Sequence, residues 1–236
     1  MKRNIFLLAA LAAALLCTSC LKNLRHDPNE PKKTHKIDDI GDFDKISVQA
    51  PCELIYEPSD SVKVVVSGGE SFVDNIAIVN EDGRLIIKEK QNDFFHNGSV
   101  KVVVRSKTLQ ALDLEGAGSA QLKGEIKSDA LSFNMNGAGS IMAESIHSDV
   151  LKVNVDGTGS VSLQDVTAND ISMTMNGVGS VDATFSNSGS LNCAINGVGT
   201  FNLKGQVKSY KCETNGVGSV NTKELQVGDK VGNKES

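Results

Sequence analysis

The sequence predicts an all-β fold: a right-handed parallel β-helix, or β-solenoid, of about 20 residues per coil, with an irregular β-rich N-terminal cap. Three observations predict it. A glycine-pair motif occurs six times, at Glu115-Gly116-Ala117-Gly118-Ser119, Asn136-Gly137-Ala138-Gly139-Ser140, Asp156-Gly157-Thr158-Gly159-Ser160, Asn176-Gly177-Val178-Gly179-Ser180, Asn196-Gly197-Val198-Gly199-Thr200 and Asn215-Gly216-Val217-Gly218-Ser219. Its first glycines are 21, 20, 20, 20 and 19 residues apart. Apolar residues alternate with polar ones before the copies (Leu131, Phe133, Met135; Leu151, Val153, Val155; Ile171, Met173, Met175; Leu191, Cys193, Ile195) and after them (Val161, Leu163; Val181, Ala183; Phe201, Leu203). Period two marks a strand with one buried face.

Residues 1–19 predict a lipoprotein-type signal peptide. A basic start, Lys2-Arg3, precedes an apolar run from Ile5 to Leu16, shorter than the roughly 20 residues of a spanning helix. The run ends in Cys17-Thr18-Ser19-Cys20. Small Ser19 before Cys20 resembles a bacterial lipobox, which makes Cys20 the expected lipidation site and the membrane a partner through the lipid. Plain secretion with a free thiol is the alternative.

Residues 20–36 predict an anchor and tether. Pro28 and Pro31 interrupt a charged stretch of net +3, whereas residues 37–236 carry net −10. The tether either lies near anionic headgroups or is simply solvated. The acidic body excludes nucleic acid, which is bound through cations. These features place the protein in the cell envelope, as an outer-membrane lipoprotein. Leu21-Lys22-Asn23-Leu24 lacks the acidic run that resembles a surface-export tag, which favours the periplasmic side over the surface.

Residues 37–108 predict the irregular part. Val62 to Val66, Leu85 to Ile87 and Val100 to Val104 are strand-like, and Asp82-Gly83 reads as a tight turn. Ile46 to Leu54 aligns with Leu112 to Ala120 as a worn earlier copy of the coil. Residues 109–225 predict the regular coils. A unit of three short strands cannot close a core alone, but stacked copies can, with like side chains in columns about 4.8 Å apart. The expected corners are Asn136, Gly137 and Gly139; Asp156, Gly157 and Gly159; Asn176, Gly177 and Gly179; Asn196, Gly197 and Gly199; Asn215, Gly216 and Gly218. Positive φ is the expected reason for glycine there. Stacked Asn side chains are expected to bond along their column. Residues 226–236 read as a polar tail.

The coil motif, together with Phe43-Asp44-Lys45-Ile46-Ser47-Val48, Val64-Val65-Val66 and Asp82-Gly83-Arg84-Leu85-Ile86-Ile87, resembles the putative auto-transporter adhesin, head GIN domain family of Bacteroides-type envelope lipoproteins. The resemblance covers about residues 40 to 225. It implies a β-helical envelope domain with an adhesin-type role and transfers no binding residue.

The residues predict no enzyme. Gly-Xaa-Gly-Ser six times between strands is no phosphate loop, which needs a helix behind it. The 20-residue period does not fit calcium-binding β-rolls. Glycoside cleavage needs two carboxyl groups roughly 5–9.5 Å apart, and Asp113 and Glu213 fall about 24 Å apart by coil spacing. Asp129, Asp149 and Asp170 near the third corner read either as a ladder of acids or, the reading favoured, as a solvated acidic edge that opposes lateral pairing. His26, His35, His96 and His147 lack ligand partners. No cofactor, metal or catalytic residue is expected. Cys52, Cys193 and Cys212 form no disulfide framework; their redox state stays open, since an exported chain can oxidise a pair, and Cys193 and Cys212 should be column neighbours. The expected role is a non-enzymatic head whose rigid surface binds a glycan or protein. The alternatives are a structural envelope module that self-associates end to end and, more distantly, a carbohydrate-active β-helix enzyme.

Overall fold

A computed structural model describes residues 31–91 and 100–228. The predicted signal peptide, Cys20, the tether up to Glu30, His26, His96 and residues 229–236 lie outside the described residues. The elements in chain order are β1 (Lys32–Ile37), β2 (Lys45–Val48), β3 (Cys52–Pro58), β4 (Lys63–Gly69), helix α1 (Glu70–Asn75), β5 (Ile76–Glu81), β6 (Arg84–Glu89), β7 (Val100–Ser106), β8 (Ala111–Leu114), β9 (Ala117–Met135), β10 (Ala138–Val155), β11 (Thr158–Met175), β12 (Val178–Ile195), β13 (Val198–Thr214) and β14 (Val217–Val227).

The fold is the expected β-solenoid. β9 through β14 pair in parallel, each with the next. Like sits on like: Leu131, Leu151, Ile171, Leu191 and Tyr210 share one column, and Ala120, Ile141, Val161, Val181, Phe201 and Val220 share another. Val153, Val155, Phe133 and Phe201 are all fully buried. The three short strands per coil are instead one bent strand of 17 to 19 residues in β9 to β13. The ladder hydrogen bonds continue through the bends, so the chain turns without leaving the sheet.

Unequal coils are corrected away from the glycine corners. The 21-residue coil takes up its extra residue between Leu122 and Glu125, where Gly124 has φ +70°. The 19-residue coil closes between Phe185 and Ser188 of β12. Asn187 and Gly205 hold φ 54° and 89° there, a conformation that Asn and Gly tolerate best.

The N-terminal part is more regular than its sequence. β2 pairs β8 in parallel, with Ile46 beside Leu112 and Val48 beside Leu114. β3 pairs β9, with Cys52 beside Gly118 and Leu54 beside Ala120. The worn copy is therefore a true coil, in the register its alignment gave. On its far side lie β6 and β7. Spatial order thus departs from chain order: residues 45–58 sit between strands drawn from 84–106 and those of 111–122. β4 and β5 run antiparallel to β7 and β6 and, with α1, finish that end. The tether boundary at residue 36 moves, because Lys32–Ile37 is a strand paired with Val64–Gly69. The tail boundary moves too, because β14 runs to Val227.

Candidate binding surfaces

The glycine corners stack in two columns, one of Gly116, Gly137, Gly157, Gly177, Gly197 and Gly216, the other of Gly118, Gly139, Gly159, Gly179, Gly199 and Gly218. Crowding explains them better than the expected positive φ. Of these only Gly139 and Gly159 have positive φ, at 158° and 153°, values bordering on extended backbone. A Cβ at Gly157 would overlap the carbonyl oxygen of Gly137 and stand 2.8 Å from the carbonyl carbon of Asn136. The coils approach that closely because consecutive corner amides point the same way. Asp156 and Gly157 both donate to the Met135 carbonyl at 2.9 Å, and Thr158 donates to that of Gly137 at 3.0 Å.

The side chain before each glycine pair builds a ladder on the outside. Asn215 donates to Asn196 at 3.0 Å, Asn196 to Asn176 at 2.9 Å, and Asn176 to the Asp156 carboxylate at 2.6 Å. Asp156 accepts at its foot, where the ladder ends; Glu115, farther along the same column, accepts instead from Ser47 at 3.0 Å. A second ladder runs from Asn154 to Asn134 (2.9 Å) to Asp113 (2.7 Å), and Arg84 closes it with an ion pair to Asp113. In both ladders the donor belongs to the later coil. Shorter rungs join Asn169 to Asp149, Ser190 to Asp170, and Asn202 to Asp182. Asp149 aligns with Asn169, but Asp170 aligns with Val150, so Asp129, Asp149 and Asp170 do not make one row of acids. Asp149, Asp170 and Asp182 are committed to a neighbouring amide or hydroxyl.

Depressions among the described residues interrupt this surface, two of them as follows. One, of about 440 Å³, lies at the N-terminal end, with Ile37, Val66, Val73, Ile76 and Ile78 at its floor and Lys33, His35, Asp74 and Lys90 at its rim. Lys33 bonds Asp74 at 2.5 Å, and that bond holds its pKa above the ordinary lysine value. Lys90 donates to the Asp74 carbonyl at 2.7 Å. The rim is thus largely self-paired. The other depression, about 210 Å³, is a shallow groove over Ser172, Thr174, Asn192 and Ala194, closed at one side by Lys211 and Glu213. These two pair at 2.8 Å, which pulls the Glu213 pKa below its usual value. Asp113 and Glu213 are bound to different partners at separate coils, so they form no carboxyl pair.

Cys193 and Cys212 are column neighbours, as expected, with Cα atoms 4.4 Å apart, and they are joined by a disulfide. The coil register read from the sequence placed the two side by side but left their redox state open, because proximity alone does not fix oxidation. Cys52 is buried and free; burial raises its thiol pKa to about 12. His35 lies on the cavity rim, and His147 lies beside Lys127 and Thr167. Among the described residues no group of three His, Cys, Asp or Glu side chains could hold a metal, and no helix is long and apolar enough to cross a membrane.

Known structures share this architecture. A putative adhesin from Bacteroides fragilis is 19% identical, covers 82% of this chain and 98% of its own, and superposes with a TM-score of 0.64. A putative lipid binding protein from Parabacteroides distasonis is 20% identical over 82% of this chain and 97% of its own, with a TM-score of 0.51. A putative adhesin from Parabacteroides merdae is 16% identical over 81% and 97%, also at 0.51. At these identities the likeness is one of fold. No curated protein matches the chain. Residues 42–186 and 161–231, which together span most of the solenoid, match one protein family. The chain belongs to the putative auto-transporter adhesin, head GIN domain family.

Proposed function

We propose that the protein is a non-enzymatic lipoprotein of the outer membrane, tethered through Cys20, whose solenoid is an adhesin-type head presenting a rigid surface to a glycan or protein. The observation that carries this reading is the outer face itself. Its Asn side chains are locked in ladders at fixed spacing, and Asp156, Asp170 and Asp182 accept hydrogen bonds from Asn and Ser side chains of the next coil. Such a surface suits many weak contacts made at once, with affinity gained by multivalency, more than it suits acid–base chemistry. The family match and the adhesin-type structural neighbours support the same class of role.

Metabolic labelling with a clickable fatty acid tests the anchor. The wild type should take up label and Cys20→Ser should not. Protease shaving of whole cells tests sidedness: a protected head would restrict the role to the periplasm. A glycan array of the soluble head then tests the ligand class, and no binding to any glycan would leave a protein partner or the purely structural envelope module.

A further inference from the structure

The two ends of the solenoid differ. The N-terminal rim includes β1, which carries Lys32, Lys33 and Lys36, the kind of charge that blunts a strand edge against pairing. At the C-terminal end β14 is the last strand of the sheet, and its outer edge has no partner among the described residues. Val217 is 70% exposed. Val220, Leu225 and Val227 are only partly buried against the core. β14 bends once, where its register on β13 shifts between Asn202 and Lys204. Residues 218–221 and 224–227 therefore form two sides of the terminal coil. Across that bend Val220, Thr222, Leu225 and Val227 are half-buried, while Asn221, Lys223, Glu224 and Gln226 are exposed.

This strand is complementary to itself in one antiparallel register. Val220 falls opposite Val227 of a second copy, and Thr222 opposite Leu225, so the inward side chains meet inward ones. On the outside Asn221 meets Gln226. At the two-fold axis Lys223 meets Glu224, twice, where Glu224 already pairs with Lys204 of its own chain at 3.0 Å and would be shared between the two lysines. Because each strand climbs its solenoid as its mate descends, the gap between the two ends stays even along both sides. A head-to-tail stack would instead press β14 onto the lysine-bearing rim and propagate without closing.

We propose that the C-terminal coil is a homophilic docking end, through which two copies join tail to tail, β14 to β14, in a closed two-fold dimer. The inference deepens the adhesin-type reading by naming the partner: with the anchor at the N-terminus, the docking end is the one farthest along the chain from the membrane.

Sedimentation equilibrium of the chain lacking residues 1–20, which keeps the whole described core, tests it. The wild type should dimerise reversibly. Lys223→Glu places two glutamates opposite two glutamates, and Glu224→Lys places lysines opposite lysines. Each alone should weaken the dimer by about tenfold or more. An equimolar mixture of the two variants should restore it, because every opposed pair is again of opposite sign. The mixture also guards against misfolding, since only folded chains can be rescued. A monomeric wild type, a dimer that neither substitution weakens, or a mixture that stays monomeric would each overturn the proposal. None of these results bears on the anchored-display reading, which rests on the fatty-acid labelling and the shaving.

Discussion

Replacing Gly157 with alanine separates crowding from backbone conformation as the reason for the glycine columns. The new Cβ would stand 2.8 Å from the Asn136 carbonyl carbon and overlap the Gly137 oxygen. Carbon atoms pack at about 3.5–4.0 Å, so the corner must lift by roughly 1 Å. Lifting stretches three bonds now at 2.9, 2.9 and 3.0 Å, from Asp156, Gly157 and Thr158 to the coil before. Each contributes about 1 kcal/mol net, which gives a loss of about 3 kcal/mol. A smaller unfolded-state gain of about 0.4–1 kcal/mol partly offsets it. Gly124→Ala is the contrasting case. There φ is +70° and the nearest atom to a Cβ is a Pro58 carbon at 4.0 Å, so only a conformational cost of about 1–2 kcal/mol applies. Urea unfolding followed by circular dichroism reads both losses. Hydrogen exchange distinguishes their causes, because only Gly157→Ala should expose amides 156–158. If Gly157→Ala unfolds within 1 kcal/mol of the wild type with those amides still protected, crowding is the wrong explanation.

Val153 is fully buried in its column, so Val153→Asp should cost several kcal/mol through an unpaired buried charge; a melting curve like that of the wild type would place Val153 outside. Cys52 has a folded pKa of about 12 against an ordinary 9.0. The folded state thus holds its proton where the unfolded state has lost it, and stability falls as pH rises from 9 toward 12. Between pH 8 and 11 this should remove about 2–3 kcal/mol more from the wild type than from Cys52→Ala, the loss due to Tyr56, whose pKa burial also raises, being common to both; urea unfolding at both pH values measures it. Reduction of Cys193–Cys212 should cost about 3 kcal/mol, given a loop of this length. Faster amide exchange should then be confined to β13 and β14; exchange spread evenly over all coils would show that the bond does not act locally. Asn176→Ala removes a donor to Asp156 and an acceptor for Asn196, and its thermal denaturation should show a loss of about 1 kcal/mol.

The coils were legible because the solenoid repeats its environment: a residue 20 positions on meets the same neighbours, so the same residue type serves. That is why Leu131, Leu151, Ile171 and Leu191 could be assigned to one column before any coordinates. The worn copy at Ile46–Leu54 was legible for the same reason, although Ala50 and Cys52 replace its glycines. What surrounds it was not. β4 and β5 reverse direction and belong to no repeat, so nothing in residues 59–110 marks which coil each strand joins. β1 was hidden by its lysines, which make an edge strand read as a solvated linker. The cause of the corner glycines was misread, because close approach between coils is a property of the stack and not of the local sequence. The self-complementary pattern of β14 is likewise invisible until the bend between Thr222 and Leu225 brings both halves inward.

The displaced position of residues 45–58 governs how the chain can fold. Ile46 and Leu54 need both the strands of 84–104 and those of 112–120 on either side. A polypeptide delivered N-terminus first must therefore carry its opening strands uncommitted until some 70 further residues have emerged, and contacts of that span form slowly. The later coils need only the one before, so each can add as it arrives. Assembly would thus begin near the middle of the chain and grow in both directions, and a product cut short before residue 112 would leave its first strands with half a core, an invitation to chaperones and proteases.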